Sequence, residues 1–191
     1  MSIKSIVAII ISAALLQGCI AAAVVGVVGG ASVATDNRSL GNQIDDQKIE
    51  LDAHKRLAEN DALSANTNLQ VISVNGSVLV VGQAPNSYLR DQAIKLFSEI
   101  NGVNQLHNQI RIGNTTAFTT KTNDIWLTSK VKTALFSDKK LNANNIKVVT
   151  ENGEVFLMGL VTKAQADIAV DIARNVGGVN RVLKIFEYIN Q

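Results

Sequence analysis

The sequence predicts an α+β protein made of two tandem copies of one small domain, each running α-β-β-α-β with two helices packed on a small three-stranded mixed sheet. Three observations carry that expectation. Residues 68–84 (NLQVISVNGSVLVVGQA) overlay residues 145–161 (NIKVVTENGEVFLMGLV), with Asn75-Gly76 on Asn152-Gly153, Val78 on Val155 and Gly82 on Gly159. Downstream, Ala93 falls on Ala169 and Gly102-Val103-Asn104 on Gly178-Val179-Asn180. Upstream, Leu57 falls on Leu135 and Leu63 on Leu141. Small length changes on either side of the hairpin are what a duplicated domain accumulates, and such an internal repeat decides the fold before any local reading does.

Within each copy the elements follow in one order. A helix is predicted over residues 46–59 and 124–136, because Ile49, Ala53 and Leu57 match Leu127, Val131 and Leu135 in a four-residue apolar stripe. A Val- and Ile-rich hairpin follows, and Asn-Gly at its tip supplies the positive φ angles of a type I′ turn. A second helix is expected over residues 87–99 and 163–175, closing near Gly102 and Gly178, where glycine allows a left-handed residue. The last strands are expected over residues 105–112 and 181–189. The domains are therefore placed at residues 46–112 and 123–191, joined by a polar linker, residues 113–122.

The N-terminus reads differently. Lys4 precedes an uncharged apolar run, Ile6 to Leu16, of signal-peptide length and too short for an ordinary span. Leu16-Gln17-Gly18-Cys19 then resembles the bacterial lipobox, whose chemistry needs a thiol for diacylglycerol transfer and cleavage before the modified residue. Residues 1–18 are read as a lipoprotein signal peptide, Cys19 as the lipidated residue, and the Ala-, Val- and Gly-rich residues 19–45 as a tether. Ile20 follows the cysteine where an inner-membrane retention signal would place aspartate, so export to the outer membrane is expected. Several acyl chains hold a protein firmly where one does so only marginally.

Composition excludes much chemistry. Aromatic residues are only 4% of the chain, which suits small aliphatic cores better than a deep aromatic pocket. A formal charge of +2 gives no reason to expect nucleic-acid binding. One cysteine cannot form an internal disulfide, and two histidines offer little to a metal, so no cofactor is expected. His54 lies among Lys55 and Arg56, and His107 has no counterpart in the second copy, so neither supports a nucleophile with its base. Asp45, Asp46, Asp138 and Glu151 stand at helix starts and turns, where acidic side chains serve as caps. The chain is not expected to be an enzyme.

The paired hairpins and the Gly102-Val103-Asn104-Gln105-Leu106 and Gly178-Val179-Asn180-Arg181-Val182 segments resemble the BON domain. Two copies behind a lipobox resemble the dual-BON outer-membrane lipoproteins of gamma-proteobacteria. The resemblance implies a phospholipid-binding protein of the periplasmic face, one that maintains outer-membrane integrity and is associated with the division site. A second reading is an adaptor for a protein partner such as the outer-membrane protein assembly machinery, and a third is a periplasmic chaperone-like module. A monomer is expected.

The two first helices differ in a way that locates the lipid site. At the helical repeat, Leu127, Val131, Ala134 and Leu135 turn to the sheet, whereas Ile125, Trp126, Ser129, Lys132 and Thr133 turn away with Lys130 on the flank. The first copy has polar Gln47 and Lys48 where the second has Ile125 and Trp126. Tryptophan favours membrane interfaces, and lysines beside it meet anionic headgroups. Charge agrees: residues 46–112 hold six basic against seven acidic residues, and residues 121–191 hold ten against seven. The phospholipid-binding residues are therefore expected to be Ile125, Trp126, Ser129, Lys130, Lys132 and Thr133, the alternative being that Ile125 and Trp126 pack against the first domain or the linker. Replacing the sole thiol, Cys19→Ala, is predicted to abolish metabolic palmitate labelling and signal-peptide removal; labelling that survived would overturn the lipoprotein reading.

Overall fold

The computed structural model describes residues 39–114 and 118–190, so Cys19 and its flanks lie outside the described residues. The first domain comprises α1 (Leu40–Glu59), a short α2 (Asp61–Asn66), β1 (Asn68–Val74), β2 (Ser77–Ala84), α3 (Ser87–Ser98) and β3 (Gln105–Ile112). The second comprises α4 (Phe118–Ser137), a 3-10 turn (Ala143–Asn145), β4 (Ile146–Glu151), β5 (Glu154–Val161), α5 (Lys163–Arg174) and β6 (Arg181–Tyr188). In each sheet the hairpin is antiparallel and the last strand adds in parallel beside its second arm, so the sheets are mixed with orders β1-β2-β3 and β4-β5-β6. The duplicated α-β-β-α-β order is observed in both halves.

One expectation is corrected. The first helices begin at Leu40 and Phe118, about a turn and a half before Asp46 and Asp124, so helix enters segments read as tether and linker. Ser39 caps α1 by accepting from the Asn42 N–H at 3.1 Å, which supplies a start signal that Gly41 had obscured. The sequence expectation did not extend to the second face of each sheet. Helices cover only one face of each, yet β2 and β5 are buried along nearly their whole length. Val71, Val78 and Val80 face α1 and α3 in one core, and Val148, Val155 and Leu157 face α4 and α5 in another. Ile72, Val74, Leu79 and Val81 point the opposite way and meet Val149, Phe156, Met158 and Leu160 in a third core between the domains. The layers run helices, sheet, sheet, helices, as in stacked sheets with two inner faces.

The two hairpin tips are held in the same way through their backbone. Asn75 and Asn152 take φ of 54° and 53°, and Gly76 and Gly153 both take 74°, the left-handed pair of a type I′ turn. Asp46, buried on α1, accepts from the Asn75 N–H at 2.8 Å, the Gly76 N–H at 2.9 Å and the Ser73 hydroxyl at 2.7 Å. Asp124 on α4 accepts from the Asn152 and Gly153 N–H groups, each at 2.8 Å. From the other side, the Asn104 and Asn180 N–H groups donate to the Gly76 and Gly153 carbonyls at 2.9 Å. Gly82 and Gly159 are required for another reason: a Cβ there would lie 1.9 Å from the Asn68 carbonyl oxygen and 2.0 Å from that of Asn145.

Charged groups tie the rim between the domains. Lys147 meets Glu50 at 2.7 Å, Arg111 meets Glu154 at 2.6 Å, Lys121 donates to Asn68 at 2.9 Å and Asn75 donates to Glu187 at 2.7 Å. Asp124→Ala strands two turn N–H groups and is predicted to lower stability by about 3 kcal/mol, since a buried donor without its acceptor costs roughly 1–3 kcal/mol. Urea unfolding measures it, and a loss below about 0.5 kcal/mol, the size of an ordinary surface change, would show that the clamp does not stabilise the domain.

Candidate functional site

Three residues decide how α4 sits. Leu127, Val131 and Leu135 are at most 1% exposed and face the sheet, which turns the positions between them outward. Ile125 is 70% and Trp126 58% exposed, so neither is buried against the first domain. Ala134 is only half-buried at the flank. The sequence reading missed Phe136, 59% exposed. It lies about three turns beyond Ile125 on the same outward face, a position the helical repeat makes legible.

The polar residues of this face divide into two kinds. The Ser129 hydroxyl donates to the Ile125 carbonyl at 3.1 Å and the Thr133 hydroxyl to the Ser129 carbonyl at 2.9 Å. Satisfied on their own helix, these hydroxyls cost little when water is removed. Lys130 donates to the Gly177 carbonyl at 2.8 Å, and its ammonium lies 4.3 Å from the centre of the Trp126 ring. It therefore holds the indole against the surface by a cation–π contact instead of reaching outward. Lys132 is exposed and meets no partner among the described residues. The six expected residues thus lie together on one helix, with Lys130 engaged and Lys132 the cation left for a ligand.

The outward side of α1 is not simply polar. Leu40, Ile44 and Leu51 are 59%, 54% and 68% exposed and fall on one stripe. Because the helices occupy the two outer layers, this stripe and the tryptophan face belong to opposite sides of the stacked sheets.

The histidines separate as well. His54 is exposed on α1. His107 Nε2 lies 3.0 Å from the Ser77 hydroxyl, and burial lowers its pKa from the usual histidine value. No carboxylate bonds the other ring nitrogen among the described residues, so the pair lacks the group that orients a catalytic base. Among the described residues no helix is long and apolar enough to cross a membrane.

Comparison with known proteins agrees with this architecture. The family model described as the BON domain matches residues 45–114 and 123–189. The chain is 41% identical to the outer membrane lipoprotein DolP of Haemophilus influenzae, over 92% of this chain and 91% of that protein. It is 38% identical to a 21 kDa hemolysin of Actinobacillus pleuropneumoniae, over 81% and 79%. It is 28% identical to the osmotically-inducible protein Y of Escherichia coli, over 80% and 77%.

Burial predicts opposite fates for neighbouring substitutions. Trp126→Glu should change the urea midpoint by no more than a surface substitution does, within about 0.5 kcal/mol. Leu127→Glu buries a charge without a partner and should leave the domain unfolded. Equal stability of the two variants would mean that the face of α4 is wrongly assigned.

Proposed function

The chain belongs to the BON-domain family, and from that premise we propose that it is an outer-membrane lipoprotein whose second domain binds anionic phospholipid through the outward face of α4. The lipid on Cys19 anchors it with both domains on the periplasmic side, where it acts without catalysis to maintain outer-membrane integrity, in association with the division site. The observation that carries this reading is the open face of Ile125, Trp126 and Phe136 with Lys132 among them.

Magnitudes assign separate roles to anchor and helix. Burying part of the indole contributes about 1–3 kcal/mol, and a lysine near an anionic surface about 1 kcal/mol. Together these amount to about 2–4 kcal/mol, a Kd of roughly one to tens of millimolar. The acyl chains therefore supply retention, and α4 supplies orientation and headgroup preference once the anchor has raised the local concentration.

A second reading is supported by the exposed stripe of Leu40, Ile44 and Leu51 on α1, which suits an apolar protein partner such as a component of the outer-membrane protein assembly machinery. The two readings are compatible, since the stripe remains on the far side when α4 meets a bilayer.

Trp126 is the sole tryptophan, so its emission reports the proposed contact directly. With the mature chain carrying Cys19→Ser, anionic vesicles should shift the emission to the blue, zwitterionic vesicles should not, and rising salt should reverse the shift. Trp126→Glu protein should fail to float with anionic vesicles. Flotation equal to the parent chain would move the lipid site away from α4.

A further inference from the structure

Beside the N-terminal half of α4, the two domains leave a cleft of about 500 Å3, walled by Ile72, Val148 and Val149 and lined by Lys121, Lys132 and Lys147. Its lysines come from different elements, two from α4 and one from β4. Two carboxylates, Asp124 and Glu151, also line the cleft, and Glu50 stands beside Lys147; each holds a bond of its own. Asp124 holds the hairpin tip, Glu151 accepts from Gln83 of the first domain, and Glu50 is shared between Lys147 at 2.7 Å and the Ser73 N–H at 2.8 Å. Lys121 meets only a neutral amide, Asn68, and Lys132 has no partner among the described residues.

The duplication provides an internal control. Counting from the equivalent residues Asp46 and Asp124, Gln43 corresponds to Lys121 and His54 to Lys132; counting from the hairpin tips, Gln70 corresponds to Lys147. All three lysines are thus particular to the second domain, and the copy without them has the same fold. The structural frame does not require the charges. Lys121 and Lys132 have no carboxylate partner among the described residues, so an anion entering the cleft would meet their charge directly.

We propose that this interdomain cleft seats the phosphate of one anionic phospholipid headgroup, with Lys132 and Lys147 meeting its oxygens, Lys121 at the mouth and the acyl chains leaving past Ile125. The proposal rests on the membrane reading of α4 and adds to it a defined seat for a single lipid, to which the first domain contributes a wall. A compact ammonium suits phosphate as a point charge, and paired lysines suit a diester carrying one negative charge in a partly apolar cavity. Free phosphate shares that chemistry but has no acyl chain to lie along Ile125.

The test uses the mature chain carrying Cys19→Ser, labelled with nitrogen-15 and titrated with dihexanoyl phosphatidylglycerol below its micelle concentration. Dihexanoyl phosphatidylcholine and glycerol 3-phosphate are titrated in parallel. The Gln70 and Lys147 amides, on strands from the two domains, should shift with the anionic lipid only. Lys147→Gln should weaken binding about five-fold, the effect of one lysine near an anionic charge, while Lys163→Gln, the same loss of charge outside the cleft, should leave it unchanged. Glu50→Gln keeps an acceptor for the Ser73 N–H and frees Lys147, so binding should tighten, a gain that damage to the fold cannot imitate. Unmoved Gln70 and Lys147 amides, or equal weakening by Lys163→Gln, would overturn the proposal. Glycerol 3-phosphate binding as tightly as the lipid would reassign the cleft to free phosphate and overturn the lipid seat. Because a monomeric lipid needs no bilayer, these outcomes are independent of the flotation result, and failure of the cleft is distinguishable from failure of α4.

Discussion

A buried carboxylate reaching from a helix to the tip of a hairpin is the contact on which each domain depends. Asp46 and Asp124 meet backbone N–H groups that the type I′ geometry turns away from the strand ladder, where water would otherwise have to serve them. The bond joins the first helix to the strands that follow it and fixes its rotation as well as its position. The exposure of Trp126 follows. It is two residues from Asp124, so a helix clamped at Asp124 and packed through Leu127 has no freedom to roll the indole inward. The surface property of the second domain is a consequence of a polar bond in its interior.

Much of the fold was legible because duplication doubles every signal. The Asn-Gly tips, the Val-rich arms, and the last strands could each be checked against a second copy, and β3 spans the expected residues. The starts of α1 and α4 were not legible. Gly41 in one and the threonines of the other weaken local helix propensity, and tertiary contacts override it. Asp46 was read as a helix-start cap because sequence spacing shows a turn nearby in the chain and not one brought close by folding. The recurrence of aspartate at the equivalent position, Asp124, was the available clue. Likewise, Trp126 and Lys132 were placed by the helical repeat alone, whereas the tie from Lys130 to the Gly177 carbonyl depends on a loop that the helix sequence cannot reveal.

The stacking of the two sheets had a trace in the sequence that helix-covered sheets alone do not explain. Segments such as VLVV and VFLM lack the alternation of a strand with one wet face. Each domain has helices for only one face of its sheet, and the other copy supplies the cover for the second. The edge contacts Arg111–Glu154 and Lys147–Glu50 then limit sliding of one sheet on the other. Partly buried rim pairs of this kind favour one register over its neighbours.

The join between Ile112 and Phe118 also changes how the central core forms. Two separate copies of such a domain would have to find each other in dilute solution, and a contact of a few aliphatic side chains per partner is a modest basis for a lasting dimer. A connection of so few residues makes the same encounter unimolecular and keeps each sheet near the other at an effective concentration on the order of millimolar. It also frees the two copies from symmetry. In a homodimer every substitution appears on both subunits, so a tryptophan or lysine on one outer helix must appear on both. Within a single chain, one copy can keep neutral residues while the other acquires a cationic cleft and an apolar face, and the molecule gains two sides with different chemistry.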